Sequence, residues 1–392
     1  MLFTAPALPE QYENVVGRID ELRQKLRHQL LNHPKRWMGV LRRQTFARAI
    51  QGSNSIEGYM VTREDAVAAI ENEPPLDAND EAWMAVSGYR AAMSYILQLA
   101  DDPHYVHNEG TIRSLHYMML GYDLAKHPGR WRPGTIYVRR EPTGEIVYEG
   151  PDIDLVPGLM QDLIDSMNAP SNMPSVVRAA MTHLNLVMIH PFSDGNGRMA
   201  RALQTMVLSR DGILDSRFSS IEEYLGGNTL EYYAVLADVG QGSWHPERDP
   251  LRWIRFCLTA HYRQAESLLR RSKELEKFWG EIEIQLKRRS LNERMALALV
   301  DAGFGFGVRN ATYRAAVEVS IEVAGKDLRA LVKADMLVPK GEKRGRVYVA
   351  SDWLKEVRKL TREARYITDP FSGEVKASVP KEQRYLPGLE PI

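Results

Sequence analysis

Residues 190–201 read His-Pro-Phe-Ser-Asp-Gly-Asn-Gly-Arg-Met-Ala-Arg, a polar stretch between two apolar patterns. The preceding segment, residues 174–189, repeats apolar side chains every three or four positions, which predicts a helix with one buried face. Pro191 cannot continue that helix. The same spacing resumes over residues 196–210 and predicts a second buried helix. We therefore expect a tight polar loop between two core helices, leading into the N-terminus of the second.

The polar groups of this loop suit an anionic ligand. Gly195, Asn196 and Gly197 supply backbone N–H groups at a helix N-terminus, where the helix dipole favours an anion. Arg198 and Arg201 are three residues apart and therefore lie on neighbouring positions of one helix face. Two guanidinium groups and several amides around one point predict a polyphosphate site.

Two more side chains of the loop indicate chemistry as well as binding. Asp194 offers an oxygen ligand for Mg²⁺, the ion that accompanies nucleotide phosphates. His190 is the group in the loop that can accept a proton near neutral pH. The alternative is a plain corner between two helices, with a glycine turn and solvated charges. A histidine, a carboxylate and two arginines around one turn favour the binding site.

The loop resembles the signature of the Fic family, His-x-Phe-x-(Asp/Glu)-Gly-Asn-Gly-Arg-x-x-Arg, at every specified position. The resemblance covers residues 35–260. It implies a mostly helical domain that transfers AMP from ATP to a Ser, Thr or Tyr hydroxyl of a protein, or of itself, and releases pyrophosphate. It also implies that His190 is the base for that hydroxyl and that Asp194 holds Mg²⁺ or Mn²⁺ against the α- and β-phosphates.

The same resemblance gives roles to the rest of the loop. Gly195, Asn196 and Gly197, together with Arg198, would hold the phosphates, and Arg201 would reach the γ-phosphate. Phe192 would point into the core. We interpret His183, two helical turns before His190, as a packing residue.

Tyr232 and Tyr233 lie in a predicted helix over residues 229–238. They resemble the residues that line the adenine site of the family, so the resemblance counts them among the nucleotide-binding residues. An aromatic pair in such a helix is also typical of a core, which is the alternative.

A short hairpin is predicted before the loop. Residues 135–139 and 145–148 have the composition of paired strands around a Pro-Thr-Gly turn. The second strand resembles the flap of the family, and we expect it to be an exposed edge that binds an extended target segment by β-augmentation. A plain surface hairpin is the alternative. The predicted flap residues are Val147, Tyr148, Glu149 and Gly150.

A second motif precedes the core, where residues 53–58 read Ser-Asn-Ser-Ile-Glu-Gly. Ser53 and Glu57 are four residues apart and therefore share one face of a helix predicted over residues 37–57. The motif resembles the inhibitory sequence of the family, (Ser/Thr)-x-x-x-Glu-(Gly/Asn). A carboxylate is a natural bidentate partner for a guanidinium. Glu57 would therefore pair with Arg201, which would then be unavailable to bind the γ-phosphate. The alternative is that Glu57 is only an ordinary helix end.

The C-terminal part of the sequence has a different character. Three helices are predicted over residues 292–301, 312–319 and 320–333, followed by strands at 336–340 and 346–350. This order resembles a winged helix, a module that can bind DNA. Protein binding or simple packing is the alternative. The residues expected to face DNA phosphates are Lys326, Arg329, Lys333, Lys343, Arg344 and Arg346.

The composition limits the class of protein. The chain has 392 residues, of which 44% are hydrophobic and 26% charged, as in soluble globular proteins. Lys plus Arg and Asp plus Glu both total 51, so no net charge draws the chain to nucleic acid or anionic lipid. The single cysteine, Cys257, excludes an internal disulfide and a cysteine-based zinc site. No secretion signal or membrane span is recognised, which predicts a cytoplasmic protein.

Together these features predict a mostly α-helical, Fic-type fold with a β-hairpin flap and a winged-helix-like domain. The expected divisions are a helical region with the inhibitory helix at 1–100, a catalytic core at 101–280, a winged-helix-like domain at 281–366 and an irregular tail at 367–392. Two other functions stay open: removal of AMP from a protein with Glu57 orienting water, and a DNA-binding regulator with a nucleotide-sensing site. Transfer of UMP or phosphocholine and a homodimer are also left open.

Overall fold

The computed structural model describes residues 1–31, 37–140, 143–210, 216–342 and 345–377. Most of these residues are helical, which confirms the predicted fold class. The helices are α1 (Glu10–Leu31), α2 (Met38–Ile56), α3 (Arg63–Ile70), α4 (Asp80–Ala100), α5 (Glu109–Leu120), α6 (Val156–Asn168), α7 (Ser175–Ile189), α8 (Asn196–Ser209), α9 (Ser216–Ser219), α10 (Glu222–Gly227), α11 (Thr229–Gly240), α12 (Leu251–Arg288), α13 (Ala296–Gly303), α14 (Asn310–Val317), α15 (Ile321–Lys333) and α16 (Asp352–Leu360).

The strands form three small sheets. In the first sheet β2 lies between β1 and β3, pairing antiparallel with β1 and parallel with β3. The pairs β4–β5 and β6–β7 are antiparallel hairpins. The strands are β1 (Tyr137–Arg140), β2 (Glu145–Glu149), β3 (Gly242–Ser243), β4 (Leu337–Lys340), β5 (Val347–Ala350), β6 (Tyr366–Thr368) and β7 (Val375–Ala377).

A first core surrounds the pair α7–α8. Buried side chains from α1, α2, α4, α5, α6, α11 and the first half of α12 pack around these two helices. Trp253 of α12 is completely buried there, and its indole N–H donates to the carbonyl of Ala180 in α7 at 2.8 Å. The predicted helices on both sides of the loop are therefore present and buried, as their apolar spacing indicated.

A second core is built by the C-terminal elements on the far half of α12. Phe278 and Ile282 of α12 are completely buried against α13, α15 and α16. We expected the catalytic core to end at residue 280, whereas α12 runs through this position. Helix α12 continues to Arg288 because Ile282 and Leu286 extend its buried stripe, while the charges occupy its other faces.

The C-terminal elements contact the helix that carries the predicted inhibitory motif. Arg43 and Gln44 of α2 both donate to the carboxylate of Asp301 in α13, Gln44 at 3.0 Å. Beyond α3, Arg309 donates to the carbonyl of Pro74 at 2.7 Å. The three predicted helices and the hairpin of this region are present as α13, α14, α15 and β4–β5. Its assignment as a winged helix stays a prediction.

The residues expected at DNA lie partly outside the described chain. Lys326, Arg329 and Lys333 are exposed on α15, and Arg346 is exposed beside β5. Lys343 and Arg344 lie outside the described residues. A DNA-binding role for this surface stays a prediction.

Several elements differ from the sequence predictions. Helices α5, α9, α10 and α16 were not among them. The tail expected to be irregular contains β6 and β7, and Phe371 in their turn packs on Tyr12 with ring centroids 5.0 Å apart. The prediction of an irregular tail is therefore wrong up to residue 377; residues 378–392 lie outside the described part. Across the described residues, no helix is both long and apolar enough to cross a membrane.

We predict that Gly52→Ala destabilises the protein where α2 crosses α10. A Cβ at Gly52 would lie 2.5 Å from the carbonyl oxygen of Glu222 in α10, and a Cβ at Gly226 of the same helix would lie 2.7 Å from the Cα of Gly52. Such overpacking against backbone costs about 1–3 kcal/mol of unfolding free energy. The control is Gly39→Ala in the same helix, because a Cβ there has no neighbour within 4 Å. Thermal unfolding should place Gly52→Ala below the wild type and Gly39→Ala at or above it; equal midpoints would contradict the close crossing.

Candidate active site

The loop between α7 and α8 is closed by its own side chains. His190 ends α7 in the left-handed conformation, at φ 52°, and Gly195 precedes α8 at φ 78°. The Asn196 side chain accepts from the Phe192 N–H at 2.9 Å and donates to the Phe192 carbonyl at 2.8 Å. The Asn196 side chain thus uses its hydrogen bonds to close the loop. The group of Asn196 that can contribute to an anion site is its backbone N–H. Phe192 is completely buried, as predicted.

The imidazole of His190 is oriented by the helix that it ends. Its Nδ1 lies 3.1 Å from the Val187 carbonyl. A carbonyl only accepts, so Nδ1 carries the hydrogen and Nε2 keeps a free lone pair. Burial lowers the pKa of His190 below its ordinary value, which keeps the ring neutral at pH 7. The side chain therefore has the protonation state that a general base needs.

Arg132 fixes the backbone around His190, and the sequence analysis gave it no role. Its side chain donates to the His190 carbonyl at 3.0 Å and to the Pro151 carbonyl at the end of the flap. Its own backbone N–H donates to the Pro191 carbonyl at 2.8 Å. Only 3% of Arg132 is exposed. This residue thus joins the segment before β1, the loop and the flap.

His116 of α5 packs against the loop, and the sequence analysis did not identify it either. Its ring stacks on Phe192, with centroids 3.7 Å apart and planes within 8°. The Gly129 N–H donates to Nδ1 at 2.8 Å, so Nε2 carries the hydrogen and donates to the Asp194 carbonyl at 2.9 Å. Burial lowers the pKa of His116 to about 4, which keeps this arrangement neutral. The residues around His116 form no recognisable motif, and the sequence analysis did not predict α5. Nothing in the sequence therefore indicated a role for this histidine.

The two arginines of α8 are both buried, and they differ in their partners. Arg198 is 0% exposed, and its three guanidinium nitrogens have no hydrogen-bond partner among the described residues. Its guanidinium lies 5.0 Å from the centre of the Tyr59 ring. Nη1 of Arg201 likewise has no partner in the described part of the chain. Buried guanidinium groups with unused donors fit a phosphate-bearing ligand, because such donors are costly to leave unpaired.

Arg201 is bound by the predicted inhibitory motif. Its Nη2 lies 2.6 Å from Oε1 of Glu57, and its Nε donates to the Ser53 hydroxyl at 2.8 Å. Burial alone would lower the pKa of Arg201, but the Glu57 carboxylate raises it above its ordinary value. A Cβ at Gly197 would collide with Oε1 of Glu57. The carboxylate therefore lies against the first turn of α8, where the helix dipole favours an anion.

Asp194 is paired with a lysine that the sequence analysis did not identify. Oδ2 of Asp194 lies 3.0 Å from Nζ of Lys126. Although burial acts to raise the pKa of Asp194, the hydrogen bond from Lys126 and the charge of Arg198 hold it below its ordinary value. Asp194 is therefore a carboxylate at pH 7.

The donor set around Asp194 decides which kind of metal fits. Within the described ranges, no three His, Cys, Asp or Glu side chains are arranged to hold a metal ion. Mg²⁺ in nucleotide sites takes one or two carboxylates and completes its shell with phosphates and water. Asp194 thus fits a metal that arrives with phosphates, and it does not by itself form a resident metal site.

The flap has the predicted pairing and differs in its exposure. Strand β2 pairs with β1, as expected. We expected an exposed edge at Val147–Gly150, and this is wrong for Tyr148 and Glu149, because β3 pairs with both. Tyr148 is buried, and its hydroxyl donates to the Met188 carbonyl in α7 at 2.8 Å. The first half of β2 pairs with β1 alone among the described strands.

The two tyrosines of α11 have different environments. Tyr232 is 1% exposed, and its hydroxyl lies 3.0 Å from Nε2 of His183. His183 is completely buried, and its Nδ1 lies 2.6 Å from Oε1 of Gln204, so it packs in the core as predicted. Tyr233 is 47% exposed, and its hydroxyl donates to the Ile56 carbonyl at the end of α2 at 3.2 Å. Contact of either tyrosine with adenine stays a prediction.

Comparison with known proteins places this site in a family. Residues 107–208 match the model of the Fic/DOC family. A protein adenylyltransferase Fic from Nematostella vectensis is 27% identical over 278 residues, 67% of this chain and 58% of that protein. A protein adenylyltransferase fic-1 from Caenorhabditis briggsae is 28% identical over 247 residues, 62% of this chain and 46% of that protein. The chain thus spans about half the length of these curated relatives.

Solved structures share the fold. A Fic family protein from Desulfovibrio desulfuricans G20 superposes with a TM-score of 0.58 at 22% identity, covering 89% of this chain and 99% of that one. A Fic domain containing signaling protein from Bacteroides thetaiotaomicron gives a TM-score of 0.53 at 23% identity, covering 65% and 97%. The loop at residues 190–201 lies inside the segment, residues 107–208, that matches the model of the Fic/DOC family.

Proposed function

We propose that the protein is an adenylyltransferase that transfers AMP from ATP to a Ser, Thr or Tyr hydroxyl of a protein. One observation carries the proposal. The neutral imidazole of His190 stands at the start of the loop that leads into α8, and α8 carries two buried guanidinium groups with unused donors, Arg198 and Arg201. A base beside a phosphate site is the arrangement that nucleotidyl transfer to a hydroxyl requires. The names of the relatives agree with this chemistry.

The residues of the loop divide the work of the reaction. Nε2 of His190 accepts the hydroxyl proton while the hydroxyl oxygen forms a bond to the α-phosphorus. The bond between the α-phosphorus and the oxygen bridging to the β-phosphate breaks, and pyrophosphate leaves. Arg198 and the N–H groups at the start of α8 stabilise the charge on the phosphates. A Mg²⁺ or Mn²⁺ held by Asp194 would supply further neutralisation of that charge.

The contact between Glu57 and Arg201 supports an autoinhibited state. Glu57 presents its carboxylate to Arg201 at 2.6 Å and lies against Gly197, so it occupies an anion position of the site. A γ-phosphate that needs the same guanidinium would have to displace it. We therefore infer that ATP meets the closed site in an unproductive position until Glu57 moves.

The target is expected to be a protein segment in extended conformation. Among the described strands, Ile146 and Val147 of β2 lie outside the segment that pairs with β3, and β-augmentation along this part of the flap would direct a target hydroxyl toward His190. The relatives favour AMP transfer over AMP removal and over a DNA-binding sensor. A cytoplasmic location, a homodimer and DNA binding stay predictions.

We predict that His190→Ala lowers AMP transfer by about 10²–10⁴-fold, because a general base contributes that much. ATP affinity should change little, since the phosphates are held by other residues. The control is His245→Ala, which removes a half-exposed histidine paired with Glu247. Transfer is measured by mass increase of the protein and affinity by calorimetry. Because the pKa of His190 lies below its usual value of about 6.5, the rate should stay flat from pH 8 to pH 7 and fall in acid. Unchanged transfer in His190→Ala would contradict the assignment.

We predict that transfer requires a divalent metal and that Asp194→Ala reduces it. The carboxylate is the protein oxygen of the loop that can hold Mg²⁺ or Mn²⁺ with the phosphates. The rate is measured against metal concentration for the wild type and the variant, and the variant should need more metal for a lower maximum. Full activity in excess EDTA would rule out this description of the site.

We predict that Glu57→Gly gains transfer activity, by about tenfold or more, equivalent to about 1.4 kcal/mol of barrier. Removal of the carboxylate frees Arg201 and touches none of the groups assigned to the reaction. Glu318→Gly is a matched control, because Glu318 is an exposed carboxylate that ends α14. Autoadenylylation is counted by intact mass.

The double variant Glu57→Gly/Arg201→Ala separates relief of inhibition from a general effect. Arg201 serves both the closed and the active state, so this double variant should be inactive again. If Glu57→Gly gains no label while a signal that depends on His190 is present, Glu57 is only a helix end.

A further inference from the structure

Lys126 lies at the mouth of the site, and the reaction described above does not use it. Its Nζ is 3.0 Å from Oδ2 of Asp194 and 3.2 Å from the Tyr59 hydroxyl. Two further carboxylates, those of Glu81 and Asp123, each lie 4.0 Å from the same nitrogen. The ammonium group is thus bound to the carboxylate assigned to the metal and has two other acidic partners nearby.

Tyr59 connects this lysine to the inhibitory segment. It follows Glu57 by two residues, just beyond the end of α2. Its hydroxyl accepts from Lys126, and its ring lies 5.0 Å from the guanidinium carbon of Arg198 and 6.0 Å from Nζ of Lys126. The turn that holds Glu57 on Arg201 therefore also covers Arg198 and contacts the partner of Asp194.

An ammonium group 3.0 Å from Oδ2 of Asp194 and a divalent metal bound to the same carboxylate would repel each other, so the two cations compete for Asp194. Lys126 is attached to the protein, so it competes for Asp194 at a fixed local concentration, and a metal must displace it. The displaced ammonium would keep its charge compensated, because Glu81 and Asp123 are already within 4.0 Å. When a metal displaces Lys126 from Asp194, its ammonium group therefore has to move only a short distance to pair with Glu81 or Asp123.

We propose that Lys126 is a tethered counter-ion that occupies Asp194 in the closed state and is displaced when metal and nucleotide bind. Tyr59 holds Lys126 in that position. The segment from Glu57 to Tyr59 thus closes the site at two points: Glu57 occupies Arg201, and Tyr59 keeps Lys126 on Asp194. This inference rests on the proposed nucleotide site, and it makes Lys126 a positioning residue rather than a catalytic one.

The opposite role for Lys126 is direct binding of a phosphate oxygen. The two roles predict opposite results when the charge is removed. A competitor for Asp194 weakens metal binding, so its loss lowers the metal concentration that is needed. A phosphate ligand strengthens nucleotide binding, so its loss raises that concentration and weakens ATP.

The test is calorimetric titration of ATP at a series of Mg²⁺ concentrations, in the His190→Ala background so that no transfer occurs. Lys126→Met should lower the Mg²⁺ concentration for half-maximal ATP binding by about three- to tenfold, as expected for a partly exposed ion pair. Lys355→Met is the matched control, because Lys355 makes an ion pair with Asp352 at 2.7 Å in α16. It should change nothing.

Tyr59→Phe tests the connection to the inhibitory segment. This change removes the hydroxyl and keeps the ring over Arg198. It should shift the Mg²⁺ requirement in the same direction as Lys126→Met by a smaller factor, and an unchanged requirement would overturn the role of Tyr59. An unchanged or raised requirement in Lys126→Met would overturn the role of Lys126 and leave the proposed function in place. Loss of ATP binding in every variant, including Lys355→Met, would overturn both proposals.

Discussion

The buried guanidinium group of Arg201 is paired with an anion of its own chain, the carboxylate of Glu57. Ser53 of α2 and Glu57 at its C-terminal end supply the hydrogen-bond partners of Nε and Nη2 of Arg201. Loss of one partner of a buried ion pair is strongly destabilising, because the other charge stays buried. The same requirement makes the position attractive to a phosphate. The Glu57 carboxylate and a ligand phosphate can thus each compensate the positive charge of Arg201.

The position of α2 follows from that requirement. The Glu57 carboxylate can pair with Arg201 only if α2 is held in the correct position along its axis and in the correct rotation about it. The close crossing of Gly52 and Gly226 fixes the distance between α2 and α10, and Arg43 with Gln44 fixes the other end of α2 on Asp301. The helix with the proposed inhibitory motif is therefore packed against the first core and tied to the second. Movement of Glu57 without movement of the whole helix has to occur in its last turn, beside Gly58.

The loop at residues 190–201 could be predicted from the sequence because its residues are consecutive and its neighbours have a clear helical period. The pair Ser53 and Glu57 was predictable for the same reason, since four-residue spacing is local. Arg132, His116 and Lys126 could not be found this way, because each reaches the loop from a distant segment and none belongs to a local pattern. The exposure of β2 was mispredicted because β3 is two residues long and comes from a segment almost a hundred residues later. The roles of Arg132, His116 and Lys126 and the pairing of β2 thus all depend on contacts between segments that are far apart in the sequence.

Helix α12 has 38 residues and is therefore about 57 Å long. Its first half belongs to the core around the loop, and its second half carries Phe278 and Ile282 into the core of the C-terminal elements. A chain ended at residue 280 would keep Phe278 and lose the elements that cover it. The C-terminal region is thus not joined to the first core by a surface linker. A cut that separates the two regions has to fall inside α12, and it leaves buried apolar side chains without the elements that cover them.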